Sequence, residues 1–231
     1  PMFIGSIGLK NNLIKYHEFL GFKVFKMDHY FILSKKISNF KICKSKKINL
    51  KKKKIDINQY SISSLNIKNI NSTSKNIFEF QSPLKSRTYI KKRYIENPFF
   101  DYLIYKIEKK KYICSILVIR KIQHKGSIIL KLIDYFGSDK YIPISSYYCQ
   151  LLININKAEY IDFYSHGIAK TFFQKSLFIN RYDQKNIIIP EYFEPFLKKN
   201  IDLVCAYKTN MKNKTRLFKG DGDQDRPSIL R

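Results

Sequence analysis

The sequence predicts an α/β protein with a mixed, mostly antiparallel sheet flanked by helices. Three observations predict it. Two β-branched and aromatic runs, 112–121 and 127–136, stand on either side of His124-Lys125-Gly126, the pattern of an antiparallel hairpin. A helical stripe begins at Pro143 and leads into an alternating strand ending at His166. Further short β-type runs at 22–25, 29–33 and 203–207 add strands at both ends of the chain.

In order, residues 3–9 form a short strand with two glycines, Asn11 or Asn12 caps a helix, and Leu9, Leu13, Tyr16 and Leu20 recur at helical spacing. Gly21 ends that helix, and 22–25 and 29–33 make a hairpin across Lys26-Met27-Asp28. The stretch 35–76 reads as a linker or solvated surface strand, with a polyanion-binding segment as the alternative. It places ten lysines in twenty positions (35–54) and then turns Ser/Asn/Ile-rich. A helix over 88–95 stops before Pro98, and 102–107 forms a strand. The near-continuous apolar character of 112–121 and 127–136 predicts burial on both faces, with Asp134 at the end of the second strand. Ile144, Tyr148, Leu151, Leu152 and Ile155 form the apolar stripe of the next helix. In 159–166 the alternation puts Tyr160, Asp162, Tyr164 and His166 on one face, with Ile161, Phe163 and Ser165 on the other. A helix at 168–177 and strands at 178–182, 186–189 and 203–207 complete the reading.

The charge of +26 invites a nucleic-acid partner. Composition weakens that inference: 37 Lys, 36 Ile and 17 Asn stand against 7 Arg and 3 Ala, the bias of an AT-rich coding sequence. Arg, the better residue for bidentate phosphate contacts, is scarce. The excess is also uneven, since 29 basic and 7 acidic residues in 1–131 give +22, while 15 and 11 in 132–231 give +4. Cys43, Cys114, Cys149 and Cys205 are widely spaced with no CxxC pair, so they are expected to be buried thiols of a reducing, cytoplasmic compartment rather than disulfide or zinc ligands. No apolar run approaches the ~20 residues of a membrane helix, and the Pro1 start suggests a piece of a longer protein. Asp221, Asp223 and Asp225 form D-x-D-x-D, but Arg226 stands where a calcium loop of the EF-hand kind needs Gly, and no metal is expected.

Asn12, the run LIKYHEF, Leu20-Gly21-Phe22 and two following strands resemble the closing segment of a GNAT-type acyltransferase. In that family a Tyr of this helix can protonate the departing thiolate of coenzyme A; here Tyr16 or His17 would carry the role. The order of elements over 78–207 is also similar to the GNAT order. The resemblance implies that 1–34 is the C-terminal end of a first GNAT-like domain, 35–76 a linker, and 77–231 a second such domain. Tandem GNAT-like folds of the FemABX kind use aminoacyl-tRNA, which would suit a basic surface. The stretches PEYFEPF and KGDGDQDRP resemble the ends of GNAT-like proteins encoded with bacterial surface-polysaccharide genes. Acetyl-CoA or another acyl-CoA is then the implied co-substrate, and an amine or amino sugar the implied acceptor. The family's donor turn, Gln/Arg-x-x-Gly-x-Gly/Ala, corresponds to residues 135–140, which hold a single glycine.

N-acyl transfer needs a group to take a proton from the ammonium and donors to hold the thioester oxygen. Asp134, Asp162 and His166 are the catalytic candidates on these grounds, and Tyr164, Glu191, Tyr192 and Glu194 the substrate-binding ones. The competing reading makes them structural: a His beside Gly167, satisfied strand-end carboxylates, and a Pro-bounded turn. The alternative function is a nonenzymatic basic domain that binds nucleic acid or another polyanion.

Overall fold

The structure, a computed structural model, describes residues 2–45, 54–70, 75–80, 83–190, 198–211 and 214–222. Its elements are β1 (Phe3–Ile7), α1 (Ile14–Phe19), β2 (Lys23–Lys26), β3 (Asp28–Leu33), β4 (Tyr60–Ser64), α2 (Arg87–Ile90), β5 (Tyr102–Lys109), β6 (Tyr112–His124), β7 (Ser127–Gly137), α3 (Ile142–Ile155), β8 (Tyr160–His166), α4 (Lys170–Gln174), β9 (Ile179–Asn180), β10 (Val204–Thr209) and β11 (Leu217–Phe218). They form a large mixed sheet in the order β4-β5-β6-β7-β8-β3-β9, with β11 also on β8, and a small antiparallel sheet in the order β1-β10-β2.

β5, β6 and β7 form a meander because two tight turns reverse the chain. Lys110 and Lys111 (φ 48° and 72°) join the first pair, and Lys125 and Gly126 (φ 48° and 70°) the second. Two consecutive left-handed residues match the right-handed twist of the flanking strands. The register between β6 and β7 shifts where Val118 faces Asp134 and Ile119 faces Leu132, so Ile133 is an extra residue. From Gly137 the chain turns into α3, with a Pro in the first turn. The α3 crossover makes β8 parallel to β7, but the two pair only over Leu130–Leu132 and Ile161–Phe163. Beyond that they diverge, and residues 215–221 of the same chain fill the gap. Leu217 and Phe218 pair with His166 and Ser165, and Leu217, Phe218 and Lys219 are buried. Gly167 shows how closely this segment approaches: a Cβ there would lie 2.0 Å from the Thr215 carbonyl oxygen.

α3 covers one face of the large sheet through Ile144, Tyr148, Cys149, Leu152 and Ile153, against Leu130, Leu132, Ile161 and Phe163. Leu151 and Ile155, expected in this stripe, face outward at 36% and 66% exposure. The stripe is centred about one position away, since Cys149 and Ile153 lie on the side chosen by the sheet. All four cysteines are free and buried. No helix among the described residues is long and apolar enough to cross a membrane.

Strand pairing does not follow the boundaries expected at 34 and 76. β3 lies inside the large sheet between β8 and β9, and β1 and β2 flank β10. Within 35–76, Ile42, Cys43, Leu65 and Ile70 are core residues and β4 pairs with β5. A buried carboxylate anchors this region. Glu159 accepts the backbone N–H groups of Lys41, Ile42 and Cys43 and the hydroxyl of Ser127 at 2.6–3.1 Å. Other expected elements shorten. The helix at 168–177 is reduced to α4, the strand at 178–182 to β9 and a 3-10 turn, and that at 186–189 to one bridge between Lys44 and Ile188. The strand expected at 203–207 is β10, and it joins the small sheet.

Candidate functional site

The face of the large sheet opposite α3 carries a buried polar layer. Lys131 and Asp134 come from β7, Asp162 and Tyr164 from β8, and His29 from β3. The segment with Lys85, Tyr89 and Tyr94 and the 3-10 turn Lys219–Asp221 cover it. Buried charges are unfavourable unless paired, and here they form two clusters.

In the first, the Lys85 ammonium lies 2.8 Å from both oxygens of Asp134 and 2.8 Å from Asp221 Oδ1. Tyr94 donates its hydroxyl to Asp134 Oδ2 at 2.8 Å. The rings of Tyr89, Phe136 and Phe218 surround the ammonium at 5.3–5.5 Å. Burial pushes the Asp134 carboxyl up to about 6 against the pull of Lys85. Burial also acts to lower Lys85, but Asp134 and Asp221 together hold it above the ordinary lysine range. Gly220 permits the close approach, since a Cβ there would fall 2.4 Å from the Tyr94 hydroxyl. A cavity of about 330 Å³ opens above this cluster. Lys85 and Asp221 lie on its floor, with Phe3, Ile7, Leu84 and Tyr89 among its walls.

In the second cluster, Asp162 Oδ2 accepts from Lys131 Nζ at 2.8 Å and from His29 Nε2 at 3.0 Å. Burial alone would raise Asp162, but Lys131 and His29 bring it down to about 2. Burial holds His29 below its ordinary value and therefore neutral at pH 7. Its ring stacks on Tyr164 at 3.9 Å. Lys131 also donates to the Pro190 carbonyl at 3.1 Å, and the Lys219 ammonium sits 5.5 Å from the Tyr164 ring centroid. Lys85, Lys131 and Lys219 thus offset Asp134, Asp162 and Asp221, with the two-carboxylate cluster at the cavity end.

The alternation expected in β8 holds, but its polar residues serve different neighbours. Asp162 and Asp134 fall into separate clusters. Tyr164 points its hydroxyl at the Ile201 carbonyl, 3.3 Å away. His166 joins neither carboxylate; it stacks on Phe25 at 3.8 Å, and burial, with Lys23 and Lys214, lowers it to about 4. Four residues along a strand span ~13 Å, so Asp162 and His166 do not meet although they share a face. Tyr16 is exposed and His17 binds the Leu13 carbonyl on the surface of α1. Glu191, Tyr192, Glu194, Asp223 and Asp225 lie outside the described residues. Sequence reasoning missed Lys85, His29, Lys131, Lys219 and Tyr94. For Lys131 a signal existed: a lone lysine inside an apolar run must find a partner. Among the described residues no group of three or more His, Cys, Asp or Glu could hold a metal.

The helix start at 138–142, where the resemblance would put the donor's pyrophosphate, offers an unsuitable environment. Asp139 stands in its first turn, paired at 3.3 Å with Arg216, and Arg216 also donates to the Gly137 carbonyl at 2.8 Å. With residues 215–221 between β7 and β8, these residues do not fit an acyl-CoA in that cleft.

No protein-family model matches the chain, and no curated protein matches it. The fold is similar to that of a solved structure described as a functionally unknown conserved protein from Staphylococcus epidermidis ATCC 12228. Identity is 13% and the TM-score 0.50, over 91% of this chain and 73% of that one. That likeness concerns the fold alone.

Proposed function

We propose that this chain is a GNAT-like N-acyltransferase domain, and that the cavity over Lys85 and Asp221 receives the amine acceptor. One observation carries the reading. A cavity of about 330 Å³ ends on a buried acid–lysine–tyrosine cluster, in which burial pushes the Asp134 carboxyl up to about 6. Perturbed acids under a cavity are the usual mark of a working site. The order β5-β6-β7, α3, parallel β8 and α4, with β3 as a closing strand beside β8, supports the same reading.

In chemical terms, Asp221 reaches the cavity and has acceptor capacity left to hold an ammonium. Asp134 is ionised for the most part at neutral pH and can take up a proton. The walls of Phe3, Tyr89 and Leu84 suit the apolar face of a compact ligand such as an amino sugar. The donor is proposed to be a thioester such as acetyl-CoA. Because the residues around 138–142 and 215–221 do not fit it, no donor position is assigned in the β7–β8 cleft. A cytoplasmic setting, the usual place of acyl-CoA chemistry, belongs to the same proposal.

The test is thiol release from acetyl-CoA by the purified chain with a panel of primary amines that includes glucosamine. The expected result is amine-dependent release that Asp221→Asn reduces at least about tenfold, the loss of one charged hydrogen bond. Absence of release and of thermal stabilisation by millimolar acetyl-CoA, together with salt-sensitive nucleic-acid binding, would replace this reading with a polyanion-binding one. The +22 charge of residues 1–131 favours that second reading.

A further inference from the structure

Lysine is so abundant in this chain that a surface lysine says little about anion recognition. Arginine is not: there are 7 against 37 lysines, and Arg181 is only 9% exposed. It follows β9 in a 3-10 turn and is held from two sides. Its guanidinium carbon lies 3.8 Å from the centroid of the Tyr182 ring, and the Tyr182 hydroxyl donates to the Met27 carbonyl at 3.2 Å. Its Nη2 bonds Asp202 Oδ1 at 2.5 Å. A guanidinium fixed by a ring and a carboxylate is preorganised.

Arg181 lines a cavity of about 450 Å³, together with Lys26, Lys199, Asn11, Asn200 and Asp202. Lys26 bonds the other oxygen of Asp202 at 2.9 Å, so one carboxylate serves two cations and Lys199 adds a third. By count the cavity carries three positive groups and one negative. Asn200 stiffens the wall, donating to the Ile187 carbonyl at 2.6 Å and accepting from the Ile189 N–H at 3.0 Å.

We propose that this cavity binds an oxyanion group, phosphate or carboxylate, of a small ligand, with Arg181 as the principal donor and Lys26 and Lys199 flanking it. The site is separate from the cavity over Lys85 and does not depend on the acyltransferase reading. A phosphate or carboxylate suits the planar guanidinium edge and neutralises charge that Asp202 balances only in part. Because Arg181 is buried, the attraction is screened less than that of the surface lysines.

The experiment is thermal unfolding of the whole chain with inorganic phosphate or citrate, against sodium chloride at equal ionic strength. A saturable rise in Tm is expected with one or both, and the stronger of the two identifies the group. Arg181→Gln should weaken binding at least about tenfold. Lys199→Gln and Lys26→Gln, both at exposed positions, should each weaken it about two- to fivefold. Absence of a saturable response in the wild type overturns the proposal, as does undiminished affinity in folded Arg181→Gln. Should Arg181→Gln fail to fold, undiminished affinity in the Lys26→Gln/Lys199→Gln double variant overturns it equally.

Discussion

Replacing Lys85 with Met tests whether the cluster beneath the first cavity is held by charge. In the wild type the ammonium makes three contacts of 2.8 Å with Asp134 and Asp221. Asp134 has no solvent exposure, and Asp221 has little. Met fits among the rings of Tyr89, Phe136 and Phe218 and loses little packing. What it removes is a cation paired with two nearly buried carboxylates. Deleting one partner of a buried ion pair costs about 3–5 kcal/mol, a large share of a typical domain stability of about 5–15 kcal/mol. The double variant Lys85→Met/Asp134→Asn leaves no fully buried charge at this position. It should recover more than half of the loss, giving strong non-additivity. Acidification should act in the same direction. Asp134 already sits near 6, so without Lys85 it takes a proton more readily, and the Lys85→Met penalty should shrink between pH 7 and 5. Urea unfolding of the three variants at both pH values measures all of this. A Lys85→Met loss below about 1 kcal/mol, or additive single-variant effects, would refute an electrostatic clamp.

Other outcomes follow from the same geometry. Asp134 has a folded pKa raised above the unfolded value of about 3.9; its contribution is present below pH ~4 and is lost as pH rises through about 6. Asp134→Asn should therefore flatten stability across pH 4–6 in pH-resolved urea titrations. Asp162 has the opposite sign: depressed to about 2, it stabilises above pH ~4 and loses that contribution as pH falls toward 2. Asp162→Asn should remove that part of the acid limb. Glu159→Gln converts a carboxylate that accepts three backbone N–H groups into an amide. A loss of about 2 kcal/mol or more is expected by chemical denaturation, with amide exchange at residues 41–43 accelerated. On α3, Leu152→Ala should cost about 2–5 kcal/mol, and Ile155→Ala, at 66% exposure, less than about 0.5.

Much of the sheet was legible because its information is local. The β6–β7 hairpin is written in two β-branched runs and a Lys-Gly turn whose positive φ values suit the strand twist. The period-2 alternation of β8 put Asp162 and Tyr164 on the face that proves polar and buried. The α3 stripe was visible too, but periodicity alone did not separate Leu151 and Ile155 from the true contact face. An all-round apolar helix takes its orientation from the sheet it covers.

The candidate site was legible only in half. Asp134 and Asp162 stood out because acids are few in an apolar strand. Their partners did not, since Lys85 and Lys219 are two lysines among 37 and nothing local marks a lysine that will be buried 49 residues from its aspartate. The pairing of β3 with β8, separated by about 130 residues of chain, and the insertion of residues 215–221 beside β7 have the same character. Local propensity and turn chemistry therefore set which segments became strands and helices. The packing of distant segments set which strands meet and which charges share a cluster. It also set where the two cavities open, because burial and long-range ion pairing exist only once the sheet has closed around them.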